Sequence, residues 1–229
     1  TTLGFDLTKD KEGVSKIGVT VSEALRKATG TQVCVLNGGG IRGSLSQGDI
    51  TIGDMYTILP FDNDVVTMKV TGAKLKELIR HGINPNDIGW GQYSGITVWY
   101  NPETSEITSM RLADGTKVKD DEYYTLTTID FLLTGGDGYN FDQYTDLSVA
   151  GEMRNMVIDQ WSNGVEELDY NKLIAGEDTT EDKKEEGGEK TPEVKPENKP
   201  EVKPEVKPET KPEVKPETKP ETKPEAKPE

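Results

Sequence analysis

The sequence predicts a mixed α/β domain, with mixed sheets covered by helices, followed by a disordered tail of polyproline-II character. Three observations carry this. Segments with helical spacing of apolar residues alternate with short apolar runs that read as strands. Turn signals stand between several of those runs, so antiparallel pairs are expected beside the helical crossovers. From Thr191 onward the composition changes to little besides Pro, Glu and Lys.

The elements follow in order. Residues 15–29 (SKIGVTVSEALRKAT) set Ile17, Val21, Ala24, Leu25 and Ala28 at helical spacing, and Gly30 follows as a C-cap. Residues 31–36 form a short buried strand that runs into Asn37-Gly38-Gly39-Gly40, a loop that turns sharply or lets something approach the backbone. Residues 48–59 begin with a turn and continue as a short helix stopped by Pro60. Residues 64–70 alternate as a strand. Thr71 then caps a helix over 72–81, with Leu75, Leu78 and Ile79 on one face. Two strands, 95–100 and 106–112, flank Asn101-Pro102-Glu103-Thr104. Asp114-Gly115 reads as a hairpin turn into a strand over 123–128. A second glycine loop, Gly135-Gly136-Asp137-Gly138, comes next, and residues 149–161 carry the last helical pattern.

Three segments result: a folded domain over 1–174, a charged linker over 175–191 and a P-E-x-K repeat over 192–229. Proline every fourth residue removes a backbone donor each time and forbids a continuous α-helix. Such a segment builds no core. Its 38 residues reach on the order of 100 Å when extended, which suits a spacer holding a domain away from a surface.

The formal net charge is −15, and the repeat, with nine Lys and ten Glu, contributes almost none of it. An acidic body argues against general binding of nucleic-acid polymers, which requires a basic face. It leaves room for a small anion in a local cationic pocket. The single cysteine, Cys34, lies in an apolar run and reads as a small buried hydrophobe. No apolar run approaches the ~18 residues of a membrane span. The chain starts at Thr1 without a signal peptide and stops at Glu229 inside a repeat, so a fragment is expected, with its export signals outside it.

A metal-dependent hydrolase needs a cluster of His, Asp and Asn ligands. The one histidine, His81, stands near a helix end and is expected to interact with the helix C-terminus. There is no G-x-S-x-G elbow and no phosphate-binding P-loop. No catalytic residue is assigned, no metal site is expected, and no cofactor is expected in this chain.

The sequence instead carries a binding vocabulary. Arg42 follows the loop glycines Gly38, Gly39 and Gly40 and offers a planar fork to phosphate or ribose oxygens. Asp137 stands among Gly135, Gly136 and Gly138, where it can accept ribose hydroxyls or simply shape a turn. Phe61, after Leu59-Pro60, and Phe131 can stack on the two faces of a base or sit in the core.

NGGGIR at 37–42, GDITIGDMYTILPFDNDVVTMKVTGAKLKELIRHGI at 48–83, YSGITVWYN at 93–101 and FLLTGGDGY at 131–139 occur in the order seen in the 5'-nucleotidase C-terminal domain, which the chain resembles from residue 14 to about 163. The resemblance implies a 5'-nucleotidase C-terminal-like fold that binds the nucleoside of a substrate. A separate N-terminal metallophosphoesterase domain would hold a divalent metal pair (such as Zn, Mn or Mg) and cleave the phosphate ester. Carried over, Phe61 and Phe131 resemble the pair that sandwiches the base. Asn37 matches the nucleoside-contacting asparagine, Arg42 the arginine near ribose and phosphate, and Asp137 the carboxylate on the ribose hydroxyls. The glycines 135, 136 and 138 would then let the ribose approach. The family's arginine ahead of the first helix is not there, and Lys11 or Lys16 is the candidate replacement. The repeat resembles wall-spanning regions of Gram-positive surface proteins, which implies an extracellular or cell-wall location and a peptidoglycan attachment through a sorting signal outside this chain. The rival reading is a non-catalytic nucleoside-binding or adhesin module on the same stalk.

Overall fold

The computed structural model describes residues 1–10, 12–83 and 90–181, all within the unit Thr1–Glu185. The repeat at 192–229 lies outside the described residues. In chain order the elements are β1 (Thr2–Leu3), α1 (Lys16–Thr29), β2 (Val33–Asn37), β3 (Gly48–Asp49), α2 (Ile52–Ile58), β4 (Asp64–Thr71), α3 (Gly72–Ile83), β5 (Gly91–Ser94), β6 (Ile96–Tyr100), β7 (Ile107–Leu112), β8 (Tyr123–Ile129), α4 (Asp130–Leu133), β9 (Thr145–Glu152), α5 (Met153–Trp161) and β10 (Leu173–Ala175).

Local chemistry sets most boundaries. Ser15 Oγ accepts from Gly18 N at 3.2 Å to start α1, and Gly30 ends it in the left-handed region at φ 67°. Ile17, Val21, Ala24 and Leu25 are all buried, which is the face that the helical spacing predicts. Thr51 and Asp54 close a reciprocal capping box on α2. Thr71 Oγ1 accepts from Lys74 N at 3.2 Å at the start of α3. Lys74 itself is buried, and its ammonium is matched by Glu77 at 2.8 Å and Asp142 at 2.6 Å.

Three sheets result. The main one has five strands in the order β5-β2-β8-β4-β9. β2 runs parallel to β8, with Cys34 opposite Thr127, and antiparallel to β5. β4 runs antiparallel to both β8 and β9, with Val65 opposite Ile129. All five residues of β2 are buried, as a central strand requires. α1 packs on β2, β5 and α5, and α3 packs on β4 and β5. Leu25, Leu36, Val65, Leu75, Leu78 and Leu126 fill the core between them. A second sheet orders β10-β6-β7, and β1 pairs with β3.

Three expectations are corrected. Asp114-Gly115 does turn the chain, but it returns only to a bridge between Arg111 and Lys117. The strand expected after that turn is β8, and its partners are β2 and β4 in the main sheet. Residues 149–152, expected as the start of a helix, belong to β9. There, pairing along β4 competes successfully with the helical pattern, and Glu152 then caps α5. Residues 175–180, expected as linker, are part of the folded body. Gly176 N donates to Tyr100 O at 2.9 Å, and Asp178 accepts from Ser109 Oγ at 2.8 Å and from Arg111 Nε at 2.6 Å.

Cys34 lies buried in β2, where burial and the nearby Glu23 carboxylate push the thiol pKa well up. It is an inert core residue.

Candidate functional site

The sheet order brings three loops to one end. β2 and β8 are parallel neighbours, so the segments leaving their C-terminal ends emerge together. β4 is antiparallel to β8, so the loop entering β4 arrives at that same end. Asp64 N donates to Asp130 Oδ1 at 3.2 Å and ties the two segments there. This is the position, beyond the carboxyl ends of parallel strands, where open α/β sheets take ligands.

A pocket of about 310 Å³ lies between these loops, lined by Asn37, Gly39, Gly40, Arg42, Phe61, Asn63, Phe131 and Asp137. All five side chains singled out in the sequence meet there. Phe61 is 48% exposed and Phe131 41%, so neither is a core residue. A pocket of this size, with two aromatic rings and a few convergent polar groups, suits a small organic ligand.

The polar groups have defined partners. Asn37, 4% exposed, donates from Nδ2 to Asp137 Oδ2 at 2.6 Å. Its Oδ1 is buried and meets no donor among the described residues. A buried acceptor without a protein partner is costly, about 1–3 kcal/mol, unless a water or a ligand supplies the donor. Asp137 adopts the left-handed region (φ 51°, ψ 22°), a strained conformation for a residue with a side chain. Its carbonyl accepts from His81 Nε2 at 2.7 Å, and the His81 ring stands edge-on to Tyr139 at 4.6 Å. His81 stands in the last turn of α3, as the sequence suggests. It braces the second glycine loop, with the proton on Nε2.

The glycines have reasons inside the chain. Gly38–Gly40 form a 3-10 turn directly after β2, and Gly136–Gly138 form another. A Cβ on Gly136 would sit 2.6 Å from the Phe131 ring and closer still to its carbonyl oxygen, so the missing side chain is what lets that ring lie down. Gly135 and Gly138 take positive φ, 93° and 74°.

Arg42 donates to Gly39 O at 3.0 Å and pairs with no acid among the described residues. Beside it stands Lys9, whose ammonium donates to Ile41 O. Partial burial and the Arg42 charge lower the Lys9 pKa. Two cations held together make a local positive spot on an acidic protein. Lys9 and Asn63 escape the sequence reading, and no spacing signal marks either. Lys16, one of the two expected substitutes for the missing arginine, faces elsewhere: it pairs with Glu167 at 3.6 Å and lies over the Tyr170 ring. The other, Lys11, lies outside the described residues.

Among the described residues no group of three or more His, Cys, Asp or Glu side chains is placed to hold a metal ion. Nor, among them, is any helix long and apolar enough to cross a membrane.

Residues 1–144 match the family described as 5'-nucleotidase, C-terminal domain. The chain belongs to the 5'-nucleotidase C-terminal domain family. Membership supports a substrate-binding role for the domain. Endonuclease YhcR of Bacillus subtilis is 37% identical over 123 residues, covering 54% of this chain and 10% of that protein. Cell wall protein Lmo0130 of Listeria monocytogenes is 29% identical over 157 residues, 62% of this chain and 20% of that protein. The fold agrees with that of a 5'-nucleotidase precursor from Thermus thermophilus, at a TM-score of 0.69 and 22% identity over 76% of this chain and 39% of the other. The chain thus spans about a tenth to a fifth of these two sequence relatives.

Proposed function

We propose that the folded body of this chain is the nucleoside-binding half of a cell-surface phosphohydrolase that acts on nucleoside monophosphates or related compounds. The observation that carries the proposal is the meeting of Asn37, Arg42, Phe61, Phe131 and Asp137, from three separate loops, around one pocket. In this reading the base stacks against Phe61 and Phe131, each contact contributing ~1–3 kcal/mol. One Asp137 oxygen is already held by Asn37, and the carboxylate accepts a ribose hydroxyl through the other. The unpartnered Asn37 Oδ1 accepts a second ligand hydroxyl or N–H. The phosphate end lies toward Arg42.

Hydrolysis belongs to a separate metallophosphoesterase domain of the same full-length protein. That domain would supply a divalent metal pair and an activated water. This chain contributes recognition, orientation and partial exclusion of water. The repeat serves as a spacer through the wall, in keeping with a relative that is named a cell wall protein.

Calorimetry with adenosine and AMP on the 229-residue chain tests the site. Binding without phosphate release is expected. Phe61→Ala, Phe131→Ala and Asp137→Ala should each weaken binding by about tenfold or more. Unchanged affinity in all three would sink the assignment.

A further inference from the structure

Phe61 is held by a short loop, residues 59–63, that runs from α2 to β4 and belongs to neither element. An aromatic ring on such a loop contributes little to binding unless its position is set beforehand, since ordering it on contact would cost what stacking returns. Something outside the loop must therefore fix it.

Arg154, in the first turn of α5, is placed to do so. It is 4% exposed, yet it carries a full charge. Its guanidinium lies over the Tyr56 ring at 3.9 Å from the centroid. One terminal nitrogen donates to Leu59 O at 2.8 Å, and the other donates to the Asp62 carboxylate. These two acceptors bracket Pro60 and Phe61. A planar fork thus grips the chain on both sides of the exposed ring. The backbone adds a third tie, from Met153 N to Asn63 O at 2.9 Å. The Arg154 Nε is buried without a partner among the described residues, so the arrangement is not simply the best burial available to a cation. Asp62 is 85% exposed on its side chain, and a rim carboxylate of that kind adds little to stability by itself.

We infer that Arg154 is a positioning residue for base recognition: its guanidinium, bound to Leu59 and Asp62, presets Phe61 for stacking. The inference rests on the nucleoside-site reading above. Lysine keeps the charge at 154 but cannot span both acceptors.

The test is a double-mutant cycle on the full chain, with adenosine binding followed by calorimetry and, for weak variants, by NMR titration. Arg154→Lys should weaken binding about tenfold in the otherwise unchanged chain, and less than about twofold when Phe61→Ala is already present. Asp62→Ala, which removes the acceptor of one arm of the fork at an exposed position, should show the same dependence on Phe61 with a smaller effect, about threefold. It also carries the cycle if Arg154→Lys fails to fold. Losses that simply add to that of Phe61→Ala would overturn the inference, because a general structural role acts regardless of the ring. So would unchanged affinity in both Arg154→Lys and Asp62→Ala while Phe61→Ala weakens binding. If Phe61→Ala itself changes nothing, the site reading fails first and the positioning role goes with it.

Discussion

Replacing Asn37 with leucine separates a ligand contact from a structural one. The side chain is buried at the end of β2 and makes one bond, from Nδ2 to the Asp137 carboxylate at 2.6 Å. A hydrogen bond to a charged group contributes about 1.5–3 kcal/mol. Against this stands Oδ1, buried without a donor among the described residues, at a cost of about 1–3 kcal/mol. Leucine removes both and keeps the branched shape, with methyl groups bulkier than the amide oxygen and nitrogen at a position that borders the pocket. The two effects offset each other, and the half-buried Asp137 recovers water in place of the amide. Stability should therefore change by less than about 1.5 kcal/mol, a Tm shift of no more than about 6 °C for a domain of this size. Nucleoside affinity should instead fall about ten- to a hundredfold, because the acceptor for a ligand donor is gone and the ribose carboxylate loses its orienting partner. Thermal unfolding by circular dichroism and calorimetry with adenosine measure the two quantities on one preparation. A large loss of stability with unchanged affinity would refute the reasoning and make Asn37 a structural residue.

Two further outcomes follow from the packing. Gly136→Ala drives a methyl group against the Phe131 ring and carbonyl, so it should destabilise by about 1–3 kcal/mol and also lower nucleoside affinity, as Phe131→Ala does. Asp178 supplies a pH test. Burial alone would raise its carboxyl, but hydrogen bonds from Thr180, Arg111 and Ser109 outweigh burial and hold it well below the usual carboxylate range. Its stabilising contribution is therefore complete above the ordinary Asp value, about 4, and is lost as pH falls below that toward the folded-state value. Asp178→Asn should lower Tm at pH 7 by about 3–10 °C, as loss of a charge-assisted bond implies, and should flatten the acid limb of the Tm–pH curve. An acid limb identical in both proteins would count against the Arg111–Asp178 pair.

Much of the architecture is legible from residue order. α1 and α3 carry both a cap and an apolar stripe, signals that tertiary packing rarely overrides. β9 escapes a local reading because it is an exposed edge strand with no inward alternation, and its backbone pairing with β4 is a long-range fact. β5 escapes it because Gln92 and Ser94 are polar and carry no strand signal, although both are buried. The Gln92 amide is satisfied by Ser15, Gly13 and Trp90, a set of partners that no local window contains. The role of His81 is hidden for the same reason. Its partner, the Asp137 carbonyl, is 56 residues away in sequence.

The five candidate ligand residues are all visible in the sequence: Asn37 and Arg42 at the first glycine loop, Asp137 in the second, and the aromatics Phe61 and Phe131. Residue types and their local spacing determine that much, because caps, turns and stacking groups act over a few neighbours. Only the tertiary structure decided that these residues meet. That depended on β2 and β8 lying parallel and adjacent, with β4 antiparallel beside β8, which puts three distant loops at one end of one sheet. It also decided what spacing cannot encode: the Asn37 oxygen left without a donor among the described residues, Lys9 brought beside Arg42, and Arg154 reaching back over ninety residues to hold the loop of Phe61.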